Sequence, residues 1–139
     1  ALKREQEEQK IYKEYARSTE SQGLRQLLNS LIDQEQEHEK ELSRLIESTE
    51  AGSCFEGNIS GFNADEYGAA AEYVPDMSVN DFLNYIIERE GAGSRFYSAL
   101  AALCSAEDLT FTFNNLSFEE QKHKNWAVDR YELEMLSSL

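Results

Sequence analysis

Apolar residues recur at three- and four-residue spacing in four stretches of the chain, which is the period of an amphipathic α-helix. These stretches cover residues 1 to about 17, 24–48, 78–104 and 105–136. The segment from Ser18 to Gly23 is rich in Ser, Thr and Gly, which indicates a turn between two antiparallel helices. The 139 residues are ample for one domain and short for two. The pattern therefore predicts a single all-α domain, residues 1–139, with helical hairpins at 1–48 and 78–139.

The helical period breaks between residues 49 and 77. Four glycines and the only proline, Pro75, punctuate this segment. A stretch of this length without regular structure is uncommon in a compact domain. It is explained if it crosses the length of a bundle, so that the third helix runs parallel to the second. We therefore expect an antiparallel four-helix bundle with one long crossover between helices 2 and 3, and we assign no chemistry to the crossover.

Two polar residues interrupt the apolar stripe of the second helix. Glu35 and His38 stand where leucines would be expected, three residues apart and so on one helical face. The same Glu-x-x-His recurs 85 residues later as Glu120 and His123, and these are the only two histidines of the chain. A buried Glu–His pair is the alternative interpretation of either copy alone. Two copies favour a shared function.

The same 85-residue offset relates Glu5 to Glu90 and Tyr12 to Tyr97. Each predicted hairpin therefore carries a Glu and a Tyr on its first helix and Glu-x-x-His on its second. Glu5 alone would be taken for a solvated surface charge, and the repeat singles it out. The two tyrosine hydroxyls either hydrogen-bond the carboxylates of the opposite hairpin or pack in the core with the hydroxyl satisfied elsewhere.

Four carboxylates in one core are prohibitive as bare anions, because each must be removed from water. Two divalent cations would cancel their charge, and two neutral imidazoles would add one nitrogen to each metal. Oxygen and nitrogen donors without thiolate suit iron or manganese, and zinc is possible. Six protein ligands leave positions open for oxygen, peroxide or water. The predicted ligands are Glu5, Glu35, His38, Glu90, Glu120 and His123.

This ligand set resembles that of the ferritin-like di-iron carboxylate bundles, and in particular the rubrerythrin-like branch. The resemblance rests on Glu5-x6-Tyr12, Glu35-x2-His38, Glu90-x6-Tyr97 and Glu120-x2-His123 and spans most of the chain outside the crossover. It implies that Glu35 and Glu120 bridge two irons while Glu5 and Glu90 each bind one. Rubrerythrins carry a further Glu ligand one turn after the third-helix Glu. Gly93 occupies that position here.

The resemblance implies an oxidoreductase that reduces peroxide or dioxygen with ferrous iron. Two alternatives stay open: a ferritin-like ferroxidase that handles iron, and a bundle whose metals stabilise structure or that binds a partner. Rubrerythrins receive electrons through a four-cysteine rubredoxin domain. This sequence has only Cys54 and Cys104, which excludes such a site and a multi-bridge disulfide framework. We therefore expect a separate electron-donor protein, and we expect both cysteines to be incidental thiols in a reducing cytosol.

Charge and hydropathy exclude two classes of partner. The net charge of −14, from 27 acidic and 13 basic residues, repels phosphate backbones, so we expect no nucleic acid. No apolar run approaches the roughly 18–20 residues of a membrane helix.

No charged-then-apolar leader precedes the first helix, so we expect a cytoplasmic protein. We expect a homodimer, with Trp126 as a packing residue or dimer contact.

Overall fold

The computed structural model describes residues 2–47, 67 and 72–137, and four α-helices make up nearly all of them. They are α1 (Leu2–Ser18), α2 (Gln22–Glu47), α3 (Val79–Leu103) and α4 (Glu107–Ser137). No strand occurs among the described residues, which confirms the predicted all-α bundle. None of these helices combines the length and hydropathy that a membrane span requires. Gly23 lies within α2, so the first turn is shorter than predicted, at residues 19–21.

Contacts between α1 and α3 fix the direction of the second hairpin. Arg4, near the start of α1, donates from Nη2 to the carbonyl oxygen of Arg89 at 3.0 Å. Tyr15, near the end of α1, donates to the carbonyl oxygen of Met77 at 2.7 Å. The two helices are therefore antiparallel. Because α2 is antiparallel to α1, α2 and α3 run in the same direction, as the predicted arrangement requires. Of the predicted crossover at 49–77, only residues 67 and 72–77 are described.

A side-chain cap sets the start of α3. Ser78 is the N-cap, and its hydroxyl accepts a hydrogen bond from the backbone N–H of Asp81 at 3.1 Å. This cap satisfies one of the N–H groups that the first helical turn leaves without a partner. Ser78-x-x-Asp81 therefore marks the start of the helix in the sequence as well, since Ser is a preferred N-cap residue.

Two apolar clusters occupy the two halves of the bundle and leave a polar layer between them. The first includes Tyr12, Leu28 and Phe82. The second includes Leu42 and Tyr97, together with other residues of α3 and α4. Along α2, the Glu-x-x-His motif lies between Leu28, which belongs to the first cluster, and Leu42, which belongs to the second. The same holds along α4, so the fold places both copies of the motif in the polar layer.

Cys104 corrects one prediction. It is disulfide-bonded, so the expectation of two incidental thiols is wrong for this residue. The number and spacing of cysteines exclude a multi-bridge framework. A single bridge instead depends on how closely the fold brings two Cα atoms together, which spacing in the sequence does not determine. Cys54, the other cysteine, lies outside the described residues.

Candidate metal centre

The six residues predicted as ligands converge in the polar layer at the middle of the bundle. Helices α1 and α3 each contribute one carboxylate, while α2 and α4 each contribute one carboxylate and one imidazole. All six residues are buried, and none is more than 4% exposed. They are Glu5, Glu35, His38, Glu90, Glu120 and His123.

The six residues form two overlapping groups. In the first, one donor atom from each of Glu5, Glu35, His38 and Glu120 lies within 4.8 Å of all the others. In the second, the same criterion joins Glu35, Glu90, Glu120 and His123. Glu35 and Glu120 belong to both groups, whereas each remaining carboxylate and each histidine belongs to one. This arrangement suits two neighbouring cations that share two carboxylates.

Both imidazoles turn the same nitrogen toward the carboxylates. Nδ1 of His38 lies 3.2 Å from Oε1 of Glu120 and 3.5 Å from Oε2 of Glu35. Nδ1 of His123 lies 3.3 Å from Oε1 of Glu35 and 3.7 Å from Oε2 of Glu90. The two rings stack with centroids 5.5 Å apart. The pair of rings therefore closes one side of the carboxylate cluster.

Many polar atoms of the cluster are buried without a hydrogen-bond partner among the described residues. They include both carboxylate oxygens of Glu35 and Glu120, Oε2 of Glu5 and Glu90, and all four imidazole nitrogens. Leaving buried carboxylates uncompensated costs several kcal/mol each, on the order of the desolvation penalty of an ion. Divalent cations would provide the missing partners for these oxygen and nitrogen atoms. The donor set and its unsatisfied atoms therefore fit a pair of metal ions.

The two tyrosines cross between the hairpins. Tyr12 on α1 donates its hydroxyl hydrogen to Oε1 of Glu90 on α3 at 2.9 Å. Tyr97 on α3 donates to Oε1 of Glu5 on α1. Burial, and then the neighbouring carboxylates Glu90 for Tyr12 and Glu120 for Tyr97, raise the pKa of both phenols well above the usual value. Both hydroxyls therefore remain protonated donors, and each leaves Oε2 of its carboxylate free.

Glu8 is a buried carboxylate that the sequence interpretation passed over. It is 1% exposed, and its Oε1 lies 3.1 Å from Nε of Arg89 and 3.7 Å from Nε of Arg4. Burial, and then the charge of Glu90, raise its pKa to about 7 against the opposing effect of the two arginines. Its spacing of three from Glu5 was the available signal, but the 85-residue repeat places a glycine opposite it. Glu8 therefore belongs to an ion-paired layer beside the two groups.

The lack of a side chain at Gly93 leaves room for Glu120, one of the predicted metal ligands. A Cβ atom at this position would lie 2.9 Å from Oε2 of Glu120 and 3.4 Å from Nη2 of Arg4. The volume that a ligand side chain would occupy in rubrerythrins is therefore filled here by the Glu120 carboxylate and the Arg4 guanidinium. Gly93 therefore permits close packing of Glu120 and Arg4 against α3.

The metal-free protein is expected to lose stability as the pH rises from 6.5 to 9.5. Burial disfavours the charged form of His123, but the carboxylates of Glu35 and Glu90 outweigh it and raise its pKa from 6.5 to about 9. Because the folded state holds this proton more tightly than the unfolded state, the stabilisation is complete below pH 6.5 and is lost through about pH 9. His38 shifts in the same direction. Thermal unfolding should show a midpoint lower by roughly 5–10 °C at the higher pH.

Two comparisons check this expectation. A His123→Asn variant should show a smaller decrease over the same interval, because the shifted group is gone. Protein saturated with metal should also show a smaller decrease, because metal replaces the proton on the imidazole. An unfolding midpoint of the metal-free native protein that rises over this interval would contradict the assignment.

The family model of rubrerythrin matches residues 1–62, which contain Glu5, Glu35 and His38. This match confirms the resemblance to the rubrerythrin-like, ferritin-like di-iron proteins that the repeated motifs indicate. Comparisons with curated proteins and with solved structures gave no significant match. The second hairpin lies beyond the matched residues, so its share of the centre rests on the internal repeat and on the geometry described above.

Proposed function

We propose that this rubrerythrin-like chain is a di-iron oxidoreductase that reduces peroxide or dioxygen with ferrous iron. The observation that carries the proposal is the pair of overlapping ligand groups that share Glu35 and Glu120. Glu35 and Glu120 would each help to hold both metals, while Glu5 and Glu90 would each help to hold one. Carboxylate and imidazole donors favour iron or manganese, and zinc also suits them.

Charge balance supports a pair of divalent ions. The four carboxylates carry four negative charges that two such ions would neutralise, and the two imidazoles can bind in the neutral form. When bound, ferrous iron would supply the electrons that reduce the oxidant. The buried protein groups around it exclude bulk water, which strengthens the electrostatic interactions within the centre.

Tyr12 and Tyr97 act as positioning residues in this proposal. Each fixes one oxygen of a terminal carboxylate by a hydrogen bond from the opposite hairpin. The other oxygen, Oε2 of Glu90 or of Glu5, is then presented to the centre with its rotamer held. Partners of this kind orient metal ligands and commonly change metal affinity by about 10–100-fold when removed.

Anaerobic titration of the ferrous protein with hydrogen peroxide tests the proposed reaction. Reduction of peroxide to two waters consumes two electrons and two protons, so each peroxide should oxidise both iron ions of one centre. Iron absorbance and Mössbauer spectra would follow the oxidation. A Glu37→Gln variant is the control, since its side chain is 69% exposed and belongs to neither group.

The titration also separates the alternative functions. Rapid oxidation by dioxygen with little response to peroxide would favour ferritin-like iron handling over peroxide reduction. Bound iron that neither oxidant changes would contradict the redox function and favour a structural role for the metals.

The electron donor, the homodimer and the cytoplasmic location stay predictions. Two cysteines cannot build a four-cysteine iron site, so we propose that electrons come from a donor outside these 139 residues. The disulfide of Cys104 is an observation against the reducing cytosol, because such bonds persist mainly in oxidising compartments.

A further inference from the structure

We infer that Glu119, together with His38 and His123, forms an outer metal-binding position through which divalent cations reach the buried centre. One donor atom from each of these three residues lies within 4.8 Å of the other two. Glu119 is not part of the internal repeat and lies beside the apolar stripe of α4. The inference rests on the proposed dinuclear centre, because the two histidines belong to both positions.

Each of the two histidines has two ring nitrogens, and only one of them is turned toward the carboxylate cluster. Their Nδ1 atoms are turned toward Glu35, Glu90 and Glu120, at the distances given above. The Nε2 atom lies on the other edge of each ring, and in both histidines it is buried without a hydrogen-bond partner among the described residues. Oε2 of Glu119 is likewise buried and without such a partner. Each member of the outer group therefore carries a buried donor atom of metal-ligating type that has no hydrogen-bond partner among the described residues.

Solvent access distinguishes this position from the centre. The residues of the centre are at most 4% exposed, whereas the Glu119 side chain is 35% exposed. Glu119 is therefore the member of these groups that a hydrated cation meets first. Once held by the outer position, the cation lies against the two imidazoles that also face the inner carboxylates. Transfer to the centre would then require exchange of Glu119 for an inner carboxylate and exchange of imidazole Nε2 for Nδ1.

Lys122 forms an ion pair with Glu119 and therefore competes with a cation for the outer position. Its Nζ lies 3.7 Å from Oε2 of Glu119 and 5.2 Å from the centroid of the Trp126 ring. Trp126 in turn contacts His123, with ring centroids 5.3 Å apart. The Lys122 side chain is 44% exposed, and an ion pair so accessible to water contributes little to stability. A divalent cation can therefore displace the ammonium at little cost.

The rate of Co²⁺ uptake by metal-free protein tests the inference. Visible absorbance of bound Co²⁺ would be followed after mixing, and the final metal content would be measured separately. Glu119→Gln removes the charge and the anionic ligand at nearly constant size. We expect uptake to slow by about tenfold, the lower end of the effect of charge on the capture of ions by clefts. The final content should stay at about two ions per chain.

Glu41→Gln is the matched control. Glu41 is 36% exposed, pairs with Arg44 at 3.9 Å three residues along the helix, and belongs to none of the three groups. It removes the same charge one turn from His38, so it reports the effect of net charge alone. We expect it to take up Co²⁺ at nearly the native rate.

The outcomes separate this inference from the proposed centre. If Glu119→Gln takes up Co²⁺ as fast as the native protein, or if both variants slow equally, the outer position is wrong and the centre stands. If Glu119→Gln lowers the final content as well, the residue holds metal in the centre and does not serve uptake. If the native protein takes up no Co²⁺, the centre itself is wrong and the outer position falls with it.

Discussion

Replacing Glu35 or Glu120 with alanine is expected to abolish binding of both metal ions. Each of these carboxylates belongs to both ligand groups, so its loss removes a donor from both positions at once. Glu5→Ala and Glu90→Ala each remove a donor from one group only. We therefore expect near-zero metal in the first pair of variants, against about two ions per chain in the native protein. Glu5→Ala and Glu90→Ala should each bind one of the two ions tightly and the other more weakly.

Loss of metal in Glu120→Ala should not reflect unfolding. In the metal-free protein, burial, and then the charges of Glu90 and Glu35, raise the pKa of Glu120 well above its usual value. Its ionised form is therefore destabilising without a cation, and Glu120→Ala should unfold at the same or a higher temperature than metal-free native protein. Plasma mass spectrometry of metal content and circular dichroism measure the two properties. Retention of both ions by either variant would show that the carboxylates are not shared.

The second large effect is expected at Gly93. Alanine in the interior of a helix is favoured over glycine by about 1 kcal/mol. At Gly91 the nearest atom to a new Cβ would be Cδ of Lys124 at 3.4 Å, an ordinary contact with a flexible side chain. At Gly93 the new atom would lie 2.9 Å from Oε2 of Glu120, so the shared carboxylate must move. Two chemically identical substitutions, two residues apart, should therefore have opposite consequences.

We expect Gly91→Ala to stabilise the protein by about 1 kcal/mol and to leave metal binding unchanged. Gly93→Ala should weaken metal affinity by at least about tenfold, since displacement of a ligand acts on the metal directly. Chelator competition measures the affinity, and thermal unfolding of metal-free protein measures the stability. Equal affinities in the two variants would mean that Glu120 accommodates the methyl group without leaving its position.

The repeat made the centre predictable from the sequence. Glu35 and Glu120 stand inside apolar stripes, where a carboxylate needs a compensating partner. The 85-residue offset that relates these two residues also relates Glu5 to Glu90. The helical period then placed all four on inward faces. The fold followed from the same period, and Ser78 marked the start of α3. These features depend on spacing along the chain, which the sequence states directly.

The features that escaped prediction depend on distance between helices. The repeat does not predict Glu8, because its repeat partner is Gly93, yet Arg4 and Arg89 stabilise its burial from two helices. Glu119 lies beside the stripe of α4, and its proximity to His38 arises only when α2 and α4 pack. The disulfide of Cys104 is of the same kind. The spacing of residues within one helix does not indicate which side chains of another helix will pack against that helix.

Anomalous diffraction at the iron edge, from crystals of protein loaded with ferrous iron, tests directly whether the centre holds two metals. A dinuclear centre should give two iron peaks in the polar layer, one within reach of His38, the other within reach of His123, and both beside Glu35 and Glu120. Well-ordered helices with no peak among these residues, or with a single peak, would contradict a dinuclear centre.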